Sequence, residues 1–322
     1  MDQASPSLPK LAPSLGEDLR LEHRQDGQSA EAWLWWSHVP SLPQQKMGAI
    51  GHFSADGPNA AAAVLEKAEH VLASQGCTLA VGPMDGNTWR RYRFVTEPGT
   101  EPPFFLEPTN PPAWPAWWQS AGYTPLASYT STLANDLARR DPRVDAVADR
   151  LRAAGITLRP VTLDRFADDL ARIYDVSIES FQDNYLYTPL SADAFLGQYL
   201  PLKNRIVPDF VLLAETQDAR PVGYVFALPD FAQATEFGVR PSGRSSVPPI
   251  DTVIVKTLAV RPGRAYAGLG AWLLAEVHES ARQLGYRRAI HALIHESNRS
   301  RNLSAHYAQI LRRYTLFSKK IS

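Results

Sequence analysis

The sequence predicts an α/β protein with a mixed sheet, built as two similar domains in tandem, and three observations carry that expectation. Strand-like stretches of alternating apolar and polar residues are interspersed with stretches of helical period. The 322 residues exceed what one compact core usually holds, since domains commonly run to about 100–200 residues. The layout strand, loop, helix, Gly occurs twice, from Phe53 to Gly76 and from Val260 to Gly285, and degenerate repetition of this kind marks a duplicated unit.

In the N-terminal half, strands are expected at Leu19–His23, Ala32–Val39 and Met47–Phe53, then a helix from Ala60 to Ser74 and a strand at Cys77–Val81. Cys77 is the single cysteine, so no internal disulfide can form. Its place between Gly76 and Thr78 at the head of an apolar run suits a small packed residue rather than a reactive thiol. Trp33, Trp35, Trp36, Trp114, Trp117 and Trp118 all lie in this half, where they suit core and domain-interface packing better than an aromatic ligand box. Asp141-Pro142 then interrupts a polar, charged segment, and Val144, Val147 and Leu151 begin an amphipathic helix. The boundary falls there, giving domains 1–142 and 143–322.

In the C-terminal half, Gly155 to Val161 alternates like a half-buried strand, and Asp164 caps a helical stretch through Tyr174, with further helix to Leu200. Phe210–Glu215 and Val222–Leu228 are strand patterns joined by a polar turn, which makes a hairpin. Asp251–Val260 is another strand. Leu269, Leu273, Val277, Ala281 and Leu284 recur at helical spacing, and Gly285 ends that helix. A strand at Arg287–Ile294, a short helix over Leu303–Leu311 and a last strand at Tyr314–Ser318 complete the half.

Composition narrows the functional classes. Hydrophobic residues make up 44% and charged residues 20%, which is the regime of a folding chain rather than a disordered one. Lys plus Arg and Asp plus Glu each count 33, and the basic dipeptides are scattered, so no nucleic-acid footprint is expected. The start lacks the basic and apolar regions of a signal peptide, and no apolar run approaches the roughly 20 residues of a membrane span. A cytoplasmic protein is expected. His291 and His295 are four apart on a strand pattern, about 13 Å in distance, so they cannot share a metal ion, and no metal is expected. Neither a Gly-x-Ser-x-Gly elbow nor a P-loop occurs.

The informative segment runs from Thr257 to Leu274, where a strand enters a turn of small residues that opens a helix. Small residues let an anion approach the backbone, and the first helical N–H groups have no partner within the helix. A pyrophosphate suits such a place, and so does tight packing of helix on sheet. The segment resembles the acetyl-CoA motif of the GNAT acetyltransferase superfamily, in which the fourth strand leads into an Arg/Gln-x-x-Gly-x-Gly/Ala turn and the third helix. The order of elements over residues 150–322 matches that fold as well.

The resemblance implies two GNAT-like acyl-CoA N-acyltransferase domains in tandem, with a degenerate N-terminal half. It also implies acetyl-CoA as acyl donor and an amine on a small molecule or peptide as acceptor. By resemblance, the backbone of Leu258, Ala259 and Val260 would pair with the pantetheine arm. Arg264, Ala265, Tyr266, Ala267, Gly268, Leu269, Gly270 and Ala271 would line the pyrophosphate, with Gly268 and Gly270 as the motif glycines. The motif's first position falls on Ala265 rather than Arg or Gln, with Arg264 one residue earlier. Asn298 and Tyr307 match the family's second motif, as a cofactor contact and as the acid that protonates the departing thiolate, although Tyr307 equally suits a core position. Lys256 stands where the family often places a basic Glu, and Glu215, Asp183 and Glu179 are other candidates among which the sequence does not choose.

The N-terminal counterpart turn, Ser54-Ala-Asp-Gly-Pro-Asn, carries an acid and a proline without a donor N–H, so that half is expected to be a noncatalytic partner. Pairing of the halves within one chain would replace the homodimer of single-domain relatives and leave a monomer. A module that holds CoA without turnover is the alternative, suggested by Lys256 and Ala265. Pro229–Ile250, rich in Pro, Gly and Ser and carrying Arg240 and Arg244, is expected either to help form an acceptor pocket or to be a solvated insertion.

Overall fold

The computed structural model describes residues 16–235 and 250–322. Strands β1 (Leu19–Gln25) and β2 (Gln28–Trp35) form a hairpin. Its two turn residues, Asp26 and Gly27, have φ of 52° and 77°, the left-handed pair that a two-residue hairpin turn requires. Next come β3 (Met47–Ala55), helix α1 (Pro58–Ser74) and β4 (Leu79–Gly82). Pro58 sits in the first turn of α1, where its missing donor costs nothing. The buried Ala60, Ala61, Val64, Leu65, Ala68 and Leu72 make one helical stripe against the sheet, and Gly76 at φ 76° ends it. The half closes with β5 (Phe94–Glu97), α2 (Trp114–Ser120) and β6 (Thr124–Ala134).

The second half begins with α3 (Val144–Ala153), β7 (Thr157–Pro160), α4 (Phe166–Phe181) and α5 (Ala192–Tyr199). It continues with the hairpin β8 (Val211–Glu215) and β9 (Pro221–Pro229), then α6 (Ala232–Thr235) and β10 (Thr252–Val260). Helix α7 (Leu269–Gln283), β11 (Arg288–His295) and β12 (Gln309–Lys320) complete it. Residues 236–249, including Arg240 and Arg244 of the expected pocket loop, lie outside the described residues.

The twelve strands of the described residues belong to one sheet, ordered β1-β2-β3-β4-β12-β6-β11-β10-β9-β8-β7, with β5 also on β12. Pairs β3/β4 and β10/β11 are parallel, because in each the chain returns through a helix, α1 or α7, rather than a tight turn. The other pairs are antiparallel. The centre of the sheet holds an exchange. β12 of the C-terminal half pairs with β4 of the N-terminal half, while β6 of the N-terminal half pairs with β11 of the C-terminal half, and the two exchanged strands pair with each other from Gln309↔Leu133 to Ser318↔Thr124. Each half therefore covers the open edge of the other.

Apolar side chains alternate between the two faces. On β9, Val225 and Ala227 join the core under α7 while Tyr224, Phe226 and Leu228 join the core under α4 and α5. In the N-terminal half, Trp114, Trp118 and Cys77 are buried under α1, and Trp35 is buried on the opposite face.

Three expected features differ. The strand expected at Ala32–Val39 runs over Gln28–Trp35, and Asp164 lies inside a 3-10 turn, Leu163–Arg165, without capping a helix through its side chain. Leu303–Leu311 does not form a helix: a 3-10 turn covers Arg299–Leu303, and β12 begins at Gln309. Leu303, Tyr307 and Leu311 have helical spacing, but Ile310 is exposed and Leu311 buried, the two-residue period of a strand. Pairing with β6 overrides the local pattern.

Candidate functional site

Strands β10 and β11 run parallel from Thr252↔Arg288 to Val255↔His291 and then part. Beyond that point β10 keeps β9 as far as Val260↔Gly223, with a bulge at Lys256. β11 turns toward β6 through its own irregularity between His291 and Ile294. Lys256–Val260 consequently has no strand on its second edge among the described residues. The backbone groups of Leu258, Ala259 and Val260 on that edge are free to bond an extended ligand.

That edge leads into the turn the sequence singled out. Arg261 is anchored by Glu179 and by the Pro221 carbonyl, 2.8 Å from its Nε. A 3-10 turn follows at Arg264–Tyr266, and Gly268, at φ 85°, is the N-cap of α7. Its carbonyl accepts from Ala271 and Trp272 at 3.0 and 3.2 Å, which leaves the first-turn amides of Leu269 and Gly270 without an intrahelical acceptor. Arg264, Ala265, Ala267 and Gly268 are exposed, Tyr266, Gly270 and Ala271 are half-buried, and Leu269 is buried.

The two glycines are also required by packing. A Cβ at Gly268 would lie 2.7 Å from Cγ1 of Val147, and Arg150 donates to the Ala267 carbonyl, so α3 is seated on the turn. A Cβ at Gly270 would lie 3.1 Å from Leu258 and 3.6 Å from Leu303. The residues from Leu258 to Ala271 thus come together as one surface. Asn298 is exposed in the turn after β11, its amide bonded to the His295 carbonyl at 2.9 Å.

Tyr307 is half-buried in the turn before β12, not on a helix. Burial, with Asp141 nearby, pushes its hydroxyl up to about 12. Its ring stands edge-on to His278 and His291 at 6.1 and 6.4 Å between centroids. Those two histidines are buried, their Nε2 atoms 3.1 Å apart, and His291 Nδ1 lies 2.8 Å from the Ser304 hydroxyl. Burial pulls His278 down to about 4 and His291 well below its ordinary value, so both are neutral at pH 7. His278 on a helix and His291 on a strand meet across the core, which their sequence separation does not announce.

On the other side of the bulge, Lys256 is half-buried. Burial and the nearby Arg93 guanidinium pull its ammonium down to about 8, against Glu107. Arg93 comes from the N-terminal half and is 7% exposed. Its Cζ lies 3.8 Å from the Tyr92 ring centroid and 4.2 Å from that of Tyr129, two rings set at 84°. The sequence does not single out Arg93, which is one of three arginines interleaved with aromatic residues in Trp89-Arg-Arg-Tyr-Arg-Phe94.

The candidate bases are placed as follows. Glu215 is buried in ion pairs with Arg159 and Arg172, at 2.8 and 3.1 Å. Glu179 holds Arg261, and Asp183 is exposed. Among the described residues no group of three or more His, Cys, Asp or Glu is placed to hold a metal ion, and no helix is long and apolar enough to cross a membrane.

The N-terminal counterpart is closed. Its strands β3 and β4 part after Ala49↔Val81, but Met84 donates to the Ile50 carbonyl and His52 to the Asp85 carboxylate, both at 2.8 Å. A Cβ at Gly51 would meet the Met84 carbonyl at 2.4 Å. In the counterpart turn Asp56 is occupied by the Ser29 amide and hydroxyl at 2.7 and 2.8 Å.

No protein-family model matches the chain. Protein YghO of Escherichia coli (strain K12) is 26% identical over 309 residues, covering 88% of this chain and 78% of that protein. Among solved structures, a GCN5-related N-acetyltransferase from Sphaerobacter thermophilus superposes with a TM-score of 0.50 at 14% identity, over 90% of this chain and 76% of that one. A GCN5-related glucosamine N-acetyltransferase region of a fungal multi-domain GH3 β-N-acetylglucosaminidase gives 0.53 at 11% identity, over 91% of this chain and 31% of that much longer one. The fold is the GCN5-related N-acetyltransferase (GNAT) fold, carried here twice in one chain.

Proposed function

We propose that the C-terminal half transfers an acyl group from acetyl-CoA to an amine. The observation that carries this reading is the free edge of β10 from Lys256 to Val260, which runs directly into the exposed turn and the start of α7. An extended chain ending in a pyrophosphate fits that sequence of features. The backbone of Leu258, Ala259 and Val260 would bond the pantetheine amides, and the amides of Leu269 and Gly270, with the positive end of α7, would hold the pyrophosphate. Arg264, exposed at the head of the turn, adds a full charge.

Acetyl-CoA supplies the acyl group as an activated thioester. The Tyr307 hydroxyl, pushed up to about 12, keeps its proton at neutral pH and would be the acid that protonates the departing thiolate. β6 of the N-terminal half walls the reacting strands, so the noncatalytic half belongs to the site's architecture. A second reading, a CoA-binding module without turnover, is favoured by Lys256, a cation rather than a carboxylate at the bulge.

Calorimetric titration of the full chain with acetyl-CoA, beside a thiol-release assay with an amine panel, separates the two. Ala265→Glu places a like charge in the turn at an exposed position. It should weaken acetyl-CoA binding by about 10-fold or more at low salt. Gly268→Glu is the poorer probe, because the left-handed backbone and Val147 would disturb it for reasons unrelated to a ligand. A parent that does not bind acetyl-CoA, or an Ala265→Glu protein that binds it as tightly, removes this reading.

A further inference from the structure

Two cations lie close enough at the junction of the halves for one to act on the other, and neither makes an ion pair among the described residues. The Arg93 side chain is almost wholly buried, yet its Nε and Nη1 have no hydrogen-bond partner. The Lys256 ammonium makes no hydrogen bond or ion pair among the described residues. Glu107 is close enough to Lys256 to be felt, but its oxygens are engaged by Arg312, by the Tyr314 hydroxyl and by the Phe104 amide at 3.1 Å. His295 stands edge-on to Tyr129 at 4.9 Å and tilted to Tyr185 at 5.4 Å between ring centroids, and Glu296, which acts on it, is exposed.

Burying an unpaired cation is costly, and burying a second beside it more so. The guanidinium lies over the faces of both tyrosine rings, which stabilise its charge, but they cannot satisfy its N–H groups. Those groups need an acceptor with oxygens in one plane, which is the geometry of a carboxylate. The place is suited to a reacting molecule as well, since Lys256 sits at the bulge where β10 leaves β11 and its free edge begins.

We propose that Arg93 and Lys256 form a carboxylate-binding subsite, so that the acyl acceptor is an amino acid or another amine carrying a carboxylate. This rests on the acyltransferase reading for the word acceptor, but the subsite can be tested without it. Arg93 comes from the N-terminal half, so the noncatalytic half selects the substrate on which the other half acts.

The test uses the full chain and two measurements. In the first, thiol release from acetyl-CoA is followed with the common amino acids and with their carboxamides. The expected result is turnover of some amino acids with kcat/KM about 100-fold above the matching amide. Arg93→Met, which keeps the packing volume, should raise the acceptor KM by about 10-fold or more and leave the acetyl-CoA KM unchanged. In the second, thermal melts without acetyl-CoA are recorded with the same amino acids, their amides and inorganic phosphate. Amino acids should raise the Tm of the parent and not that of Arg93→Met or Lys256→Met, and ligand-free Arg93→Met should melt no lower than the parent.

Arg93-dependent protection by amino acids in a protein that shows no thiol release would leave the subsite standing and remove the acyltransferase reading. The subsite is overturned by amides that serve as well as acids, by an Arg93→Met enzyme with the parental acceptor KM, by protection from phosphate alone or from no carboxylate, or by a ligand-free Arg93→Met protein that melts well below the parent.

Discussion

His278 and His291 share one hydrogen bond within the core, and that pair contributes to how the protein responds to acid. Burial pulls His278 from 6.5 down to about 4. Above pH 6.5 both the folded and unfolded chains hold it neutral, so it contributes no pH dependence there. Below that, the unfolded chain takes up a proton that the folded chain refuses, and stability falls until the pH reaches about 4. We predict a loss on the order of 2 kcal/mol between pH 7 and pH 5 from this residue, read from urea melts. His278→Phe should flatten that slope whatever it does to stability at pH 7, and an unchanged slope would mean the histidine is not buried neutral. The neighbouring Tyr307 can be tested by removing one atom. Tyr307→Phe should lower kcat by about 100-fold while acetyl-CoA affinity holds, and full turnover with a substrate whose chemistry is rate-limiting would make it a packing residue.

Between elements, the contact of α3 with the turn before α7 has the clearest consequence. Gly268 is left-handed and sits against Val147, so Gly268→Ala meets both a backbone and a steric penalty, together about 2 kcal/mol by chemical denaturation. Adding Val147→Ala should recover the steric share and not the backbone share. If the second change recovers nothing, α3 is not seated on the turn. A stronger coupling ties the loop before α2 to β12, where Arg312 is 4% exposed and bonds Glu107, the Pro98 carbonyl at 2.6 Å and the Glu101 carbonyl. Arg312→Met leaves the Glu107 carboxylate buried without that partner and should cost about 3–5 kcal/mol, whereas Arg312→Met with Glu107→Leu should cost much less.

These elements differ in how far the sequence discloses them. Hairpin β8/β9 and helix α7 were legible because two-residue and 3.6-residue periods are local properties, and the Gly268 turn because glycine preferences follow from backbone sterics. β12 was misread at its start because the spacing of Leu303, Tyr307 and Leu311 satisfies a helix until β6 offers hydrogen bonds. Arg93 escaped for a related reason. Its meaning comes from Tyr129 and Lys256, which lie far from it in sequence and are brought to it only by pairing between the halves.

For the whole molecule, the exchanged strands make one body of two halves. A protease site placed between Asp136 and Arg143, where Ala138, Arg139 and Arg140 are exposed, should be cut without separating the pieces. The cut protein should elute from a sizing column as one species and unfold in a single transition, because each piece supplies the other's central strand. Two separated species would mean that the central pairings are weaker than the register implies.

The same exchange sets a schedule for biosynthesis. β4 emerges from the ribosome early, yet its neighbour β12, ending at Lys320, is made more than two hundred residues later. At translation rates of about 5–20 residues per second, the nascent chain carries an unpaired strand edge for on the order of tens of seconds. A chaperone that shields β-edges, or a stalled ribosome that prolongs the wait, should therefore change the soluble yield of this protein.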